Sequence, residues 1–131
     1  MAGWGTGSFE NDDAAEWVAH LSTVAPADLM QVLLQAADHP GYLEAHDASV
    51  AVAAAEVVAA LSGSPAPAVP SGIVEWTKKN PQDATAELRV LAVRALERVR
   101  RDSEVKDLWM EADGLNDWTA AIQELQTRLS D

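Results

Sequence analysis

Hydrophobic residues recur with the period of an α-helix along most of the chain, and no segment shows the strict alternation of a half-buried strand. In the first predicted helix, one apolar stripe contains Ala14, Trp17, Val18 and Leu21. The second helix is predicted to begin near Pro26 and to end before Pro40 and Gly41. This periodicity indicates an all-α fold.

A third helix is predicted from about Asp47 to Ser62, and it is rich in Ala and Val almost all round. Such a helix is typical of the centre of a bundle, where neighbours contact it on several sides. Gly63 is the expected left-handed residue that ends it. Residues 62–72, SGSPAPAVPSG, contain three prolines and predict an extended connector.

Four further helices are predicted after the connector. They are a short one within IVEWTKKN, a long one from Asp83 to Arg101, one capped by Ser103 or Asp102, and a last one capped by Asn116. We therefore expect an irregular bundle of six to seven helices without a β-sheet. A division at the connector would leave two pieces of about 60 residues, which are marginal for separate cores, so residues 1–131 are predicted to form one domain.

The first helix is preceded by an unusual stretch, WGTGSFENDDAAEW, at residues 4–17. Asp13 is predicted as its N-cap with Glu16 at the N3 position, although Asn11 and Asp12 are equally suitable caps.

Glycine permits backbone conformations that other residues disfavour. We therefore expect Gly5 and Gly7 to let Trp4 and Phe9 fold back, so that this N-terminal segment packs on the core as an arm. A phosphate-binding loop would use similar glycines, but here acidic residues already occupy the space before the helix.

The same stretch resembles the opening of a bacterial family of small proteins known only as a domain of unknown function, whose members begin W-G-x-G-x-F-x-N-D. The resemblance extends to AAAEVVAAL at residues 53–61 and to SEVKDLW at residues 103–109. It implies a compact α-helical protein and supplies no activity, substrate or catalytic residue. Its signature positions here are Trp4, Gly5, Gly7, Phe9, Asn11 and Asp12.

The net charge of −12 is distributed unevenly. Residues 1–77 contain ten acidic residues and neither Lys nor Arg, whereas residues 78–131 contain eleven acidic and nine basic residues. Nucleic acid and anionic membrane surfaces are therefore excluded as expected partners, since both attract Lys and Arg clusters. A basic protein partner is compatible with this charge, and simple solubility is the favoured explanation of it. The longest nearly apolar run, Val50 to Leu61, is broken by Glu56 and is too short to span a bilayer, and we expect a cytoplasmic protein.

One candidate for metal or acid–base chemistry is the line of Asp12, Glu16 and His20, which are spaced four residues apart on the polar face of the first helix. The alternative is an ordinary solvated face, which is favoured because no second helix offers a matching set of ligands. The chain contains no cysteine and no nucleotide, hydrolase or zinc motif, so no cofactor is expected.

Glu56 is a second candidate because it interrupts an otherwise apolar helix, where a lone buried carboxylate is costly. Arg94 and Arg98 flank the apolar stripe of the long helix and are its predicted partners. A structural ion pair is the expected role, and a perturbed acid in a pocket is the functional alternative.

A third candidate is the polar loop between the second and third helices, where His39 and His46 flank PGYLEA. These residues could line a small-ligand cleft, but a solvated turn is the favoured interpretation of such a loop. Four of the five tryptophans lie on predicted inward stripes, so core packing is favoured over an aromatic cage.

The function that these observations favour is a non-enzymatic, acidic protein-interaction module, for example an antitoxin- or immunity-like protein. The alternative is a small-ligand- or metal-binding protein, or an enzyme, that uses Glu56 with Arg94 or Arg98, or the Asp12, Glu16 and His20 face.

Overall fold

The computed structural model of the protein describes residues 11–66, 69–80 and 85–130. Over these residues the chain forms seven α-helices and one short 3₁₀ turn, and no strand. The helices are α1 (Asp12–Ala19), α2 (Pro26–Ala37), α3 (Ala45–Leu61), α4 (Ser71–Lys79), α5 (Ala86–Arg101), α6 (Glu104–Glu111) and α7 (Leu115–Ser130). The predicted all-α bundle is confirmed for the described part of the chain.

Helix α3 lies at the centre of the bundle, as its composition predicted. It contacts all six other helices, and every residue from Ala48 to Ala59 is buried. Small side chains make this possible, because alanine allows neighbouring backbones to approach closely. Gly63 has φ +87° and ends the helix in the left-handed region, also as predicted.

Hydrophobic residues on one face of each surrounding helix complete the core. The stripe of α7 is buried as predicted and contains Trp118, Ile122, Leu125 and Leu129. Trp76 of α4 is buried too, and its indole N–H donates to the backbone oxygen of Val24 at 2.7 Å. The core therefore includes residues from both sides of the connector.

Several predicted helix ends differ from the structure. The side chain of Asn11 accepts from the backbone N–H of Ala14 at 2.8 Å, so Asn11, not Asp13, is the N-cap of α1, and the proposed Asp13–Glu16 capping box is wrong. Helix α3 begins at Ala45, two residues early, which places His46 in its first turn.

Differences also occur in the second half of the chain. Helix α5 begins at Ala86 instead of Asp83, because the hydroxyl of Thr85 caps it by accepting from the N–H of Leu88 at 3.1 Å. Helix α7 begins at Leu115, so Asn116 lies within its first turn. Ser103 caps α6, which confirms one of the two predicted caps.

Candidate functional site

Glu56 does form a buried ion pair, but with Arg128 of α7 instead of Arg94 or Arg98. Nη1 and Nη2 of Arg128 lie 2.9 and 3.0 Å from the two carboxylate oxygens of Glu56, which is 4 % exposed. Nη1 also donates to the backbone oxygen of Ser64, and Nε donates to Glu124. This bidentate arrangement satisfies both charges inside the bundle, so the contacts of Glu56 favour a structural role.

The predicted partners Arg94 and Arg98 instead hold the end of α2 and the loop that follows it. Nη2 of Arg94 lies 2.8 Å from the carboxylate of Asp38. Arg98 donates from Nη1 to the backbone oxygen of His39 at 2.6 Å and from Nη2 to that of Gly41. Both arginines project from α5, which packs against α2. They thereby fix the direction in which the chain leaves α2.

The other end of this loop is held by the first turn of α6. The backbone N–H of Glu104 donates to the oxygen of Leu43 at 2.8 Å, and its carboxylate accepts from the N–H of Ala45 at 2.7 Å. The hydroxyl of Tyr42 donates to Asp107 at 2.6 Å. Residues 38–45 are therefore held from α5 and α6 along their whole length.

This anchored loop forms one wall of a cleft between α1, α2 and α3, with a volume of about 580 Å³. Such a volume falls within the range of small-ligand sites. The cleft is lined by Trp17, Val32, Gln35, Ala36, Asp38, His39, Pro40, His46, Asp47 and Val50. His39 and His46, which flank the loop in sequence, are thus brought together here, as the cleft hypothesis required.

The mouth of the cleft is acidic. Nδ1 of His46 lies 3.1 Å from the carboxylate of Asp13. This hydrogen bond raises the pKa of His46; partial desolvation opposes the effect, and the charges of Asp13, Asp47 and Glu16 add to it. The first two turns of α1 and the first turn of α3 therefore bring three carboxylates near one imidazole.

Asp12, Glu16 and His20 do not converge on a common point. Nδ1 of His20 donates to the backbone oxygen of Glu16 at 2.9 Å, because α1 ends at Ala19 and His20 forms its C-cap. Among the described residues, no group of three or more His, Asp or Glu side chains is placed to hold a metal ion. The geometry of this face resembles an ordinary solvated surface.

Four residues of the sequence signature, Trp4, Gly5, Gly7 and Phe9, lie outside the described residues. The remaining two begin the first helix, where Asn11 is the N-cap and Asp12 is an exposed residue of the first turn. Asn11 thus has a structural role that its sequence position alone left open.

Sequence reasoning missed two parts of this arrangement. It assigned Trp17 to the core, whereas the structure has it partly buried, packed against the core and lining the cleft. It also overlooked Arg128, although this residue lies one helical turn after Glu124 and next to the buried Leu129. That position at the edge of an apolar stripe was the available signal for a cation that reaches inward.

The described residues define an all-α protein with a partly apolar cleft, and the whole chain is acidic. A family model described as "Domain of unknown function (DUF4259)" matches residues 3–121, and the chain belongs to this family. A search of the curated proteins and a search of the solved structures found no match.

Proposed function

We propose that this protein is a non-enzymatic interaction module that binds a basic protein partner through its acidic N-terminal half. The observation that supports the proposal is the charge division of the chain, with ten acidic residues and neither Lys nor Arg in residues 1–77. Complementary charge accelerates association and selects the partner. An antitoxin- or immunity-like role, in which the acids cover a basic surface of a toxin, is the concrete form that we favour.

The placement of the acids supports the same proposal. Asp12, Glu16, Glu44 and Asp47 are all exposed, and they lie in the first two turns of α1 or at the start of α3, two helices that pack against each other. Carboxylates near helix N-termini are also favoured by the helix dipoles, so the bundle tolerates this concentration of negative charge. The surface is thus available to a cationic partner without the loss of a buried contact.

The enzymatic alternative has less support. Glu56, its strongest candidate acid, is held by Arg128, and the residues that line the cleft do not include it.

No helix among the described residues is both long and apolar enough to cross a membrane.

The source and compartment are also proposals. Arg outnumbers Lys six to three and Ala is abundant, which favours a bacterium with a GC-rich genome. We propose a cytoplasmic location, and fractionation of cells of the source organism, with detection by antibody, would test it.

A peptide-display library screened with the full chain tests the function directly. We expect enrichment of Lys- and Arg-rich sequences, and binding of a synthetic enriched peptide that weakens steeply as salt rises. The double variant Asp12→Asn, Glu16→Gln should weaken binding. The matched control Glu111→Gln, Asp117→Asn removes the same charge from exposed positions outside the N-terminal half, and it should leave binding unchanged. A library without basic enrichment, or equal losses in both variants, would contradict the proposal.

A further inference from the structure

We propose that the cleft between α1, α2 and α3 is a pocket for one arginine side chain of the partner, with the guanidinium between Trp17 and Asp47. This inference rests on the proposed function, since it names the residue that the basic partner inserts. It goes further by assigning recognition to a defined cavity instead of a diffuse acidic surface.

The apolar part of the cleft suits the stem of such a side chain. Val32 and Ala36 of α2 and Val50 of α3 line its interior, and Trp17 lines it from α1. Arginine side chains pack their methylene groups along apolar surface while the charged end seeks polar partners. An indole is also the aromatic group that attracts a cation most strongly, and a planar guanidinium stacks on it.

The polar part of the cleft supplies the opposite charge. Asp47 lines the cleft and is exposed, and its carboxylate makes no hydrogen bond to another described residue. Asp13 and Glu16 lie close enough to contribute to the raised pKa of His46. By contrast, Asp38 is already neutralised by Arg94 at 2.8 Å. Of the two carboxylates that line the cleft, Asp47 is therefore the one available to accept from a guanidinium.

The lining also contains no competing cation of fixed charge. None of its ten described residues is Lys or Arg, and the two nearby arginines of α5 are engaged with Asp38 and with backbone oxygens of the loop. His46 and His39 are the titratable bases of the lining. At a pH above the raised pKa of His46, the cleft presents acidic and aromatic groups to an incoming cation.

The experiment compares two blocked amino acids, Nα-acetyl-arginine methylamide and its citrulline counterpart. Citrulline has nearly the same shape as arginine but no charge. Binding is followed by NMR on the full chain, above the pKa of His46, through the indole N–H of Trp17 and the ring of His46. We expect the arginine probe to shift these signals and the citrulline probe to bind about tenfold more weakly, as the loss of a charge-assisted hydrogen bond implies.

Two variants make the test specific. Asp47→Asn should weaken binding of the arginine probe by about tenfold and leave binding of the citrulline probe unchanged. Glu75→Gln removes the same charge from an exposed position of α4 that does not line the cleft, and it should leave both probes unchanged.

Several results would overturn the pocket. The pocket is wrong if the two probes bind equally, if the shifts are confined to residues outside the cleft, or if Asp47→Asn leaves binding of the arginine probe unchanged. It is also wrong if nuclear Overhauser effects join Trp4 or Phe9 to Trp17, because the start of the chain would then fill the cleft. If basic peptides nevertheless bind through Asp12 and Glu16, the proposed function stands and only the pocket is wrong. If the arginine probe binds but no basic polypeptide does, the pocket stands and the proposed function is wrong.

Discussion

The guanidinium of Arg128 spans both carboxylate oxygens of Glu56, and it joins the last helix of the bundle to the central one at 2.9 and 3.0 Å. The side chain of Arg128 is 15 % exposed and that of Glu56 is 5 % exposed, so water solvates both charges poorly. The pair therefore links α7 to α3 directly, and we expect it to hold their packing at one register.

Removal of one partner of this pair should be costly. Arg128→Met leaves a buried carboxylate without its cation, and we expect the free energy of unfolding to fall by about 3 to 5 kcal/mol. Urea denaturation followed by circular dichroism measures the loss. Glu124→Gln removes the exposed second partner of Arg128 and should cost about 0.5 kcal/mol or less. The double variant Glu56→Leu, Arg128→Met should recover much of the stability; a double variant as unstable as Arg128→Met would contradict this view.

The N-cap of α1 offers a second test. Asn11→Ala removes the acceptor for the N–H of Ala14, and we expect a loss of about 1 kcal/mol in the free energy of unfolding. Asn11→Asp preserves an acceptor and should be nearly neutral. If Asp13 were the cap instead, Asp13→Ala would show the larger loss and Asn11→Ala would be harmless.

The titration of His46 reports on the acidic mouth of the cleft. Asp13→Asn removes the negative charge from the side chain that is hydrogen-bonded to His46, so the pKa of His46 should fall towards 6.5. Because the pKa of His46 is higher in the folded than in the unfolded state, the contact stabilises the protein fully at pH values below the unfolded-state pKa. This stabilisation is lost as the pH rises through the folded-state pKa. The ring is 68 % exposed, so the effect on stability is small and NMR of the ring is the appropriate measurement. Asp12→Asn is the control, and an equal fall there would argue against the specific contact.

Tyr42 provides the clearest pH prediction because it is the only tyrosine in the chain. Its hydrogen bond to Asp107 raises its pKa from 10.0 to about 12, since ionisation would place a phenolate against a carboxylate. Asp107→Asn should return the midpoint of tyrosinate absorbance towards 10.0. Glu111→Gln, an exposed change on the same helix, should leave it in place. Circular dichroism at each pH confirms that the chain remains folded, and a wild-type midpoint near 10.0 would show that the contact is absent in solution.

Gly114 should not tolerate a side chain. A Cβ at this position would lie 2.5 Å from Cε3 of Trp109, so the indole ring would have to shift. We expect Gly114→Ala to lower the free energy of unfolding by about 1 to 3 kcal/mol. Gly41 has no heavy atom within 4 Å of the corresponding position, and Gly41→Ala should be neutral or slightly stabilising. Thermal unfolding of the two variants gives the comparison, which would fail if both behaved alike.

The periodicity of the chain was enough to predict the helices and the central place of α3, because burial on all sides requires a helix that is apolar all round. The stripes of α7 and α4 followed from the same rule. Helix starts were less predictable, since Asn11, Asp12 and Asp13 are equally suitable as N-caps and only the three-dimensional structure decides among them.

The partners of charged residues were not predictable from spacing. Arg94, Arg98 and Arg128 all lie beside apolar stripes, and which one reaches Glu56 depends on how α5 and α7 are rotated against α3. The sequence offered the cleft only as the less favoured interpretation of the loop that His39 and His46 flank, and the aromatic wall at Trp17 required the angle at which α1 crosses α3. Pair identities are properties of three-dimensional packing, and composition holds little information about them.

The hold of Arg98 and Glu104 on residues 39–45 has a consequence for how the cleft can change. All ten of its described wall residues belong to the first fifty positions, yet the loop among them is tied down by residues about sixty positions later. Variation in α5 or α6 can therefore reshape the opening while every residue that lines the cleft stays the same. In related chains, differences in partner preference should be sought behind the loop as well as in the lining itself.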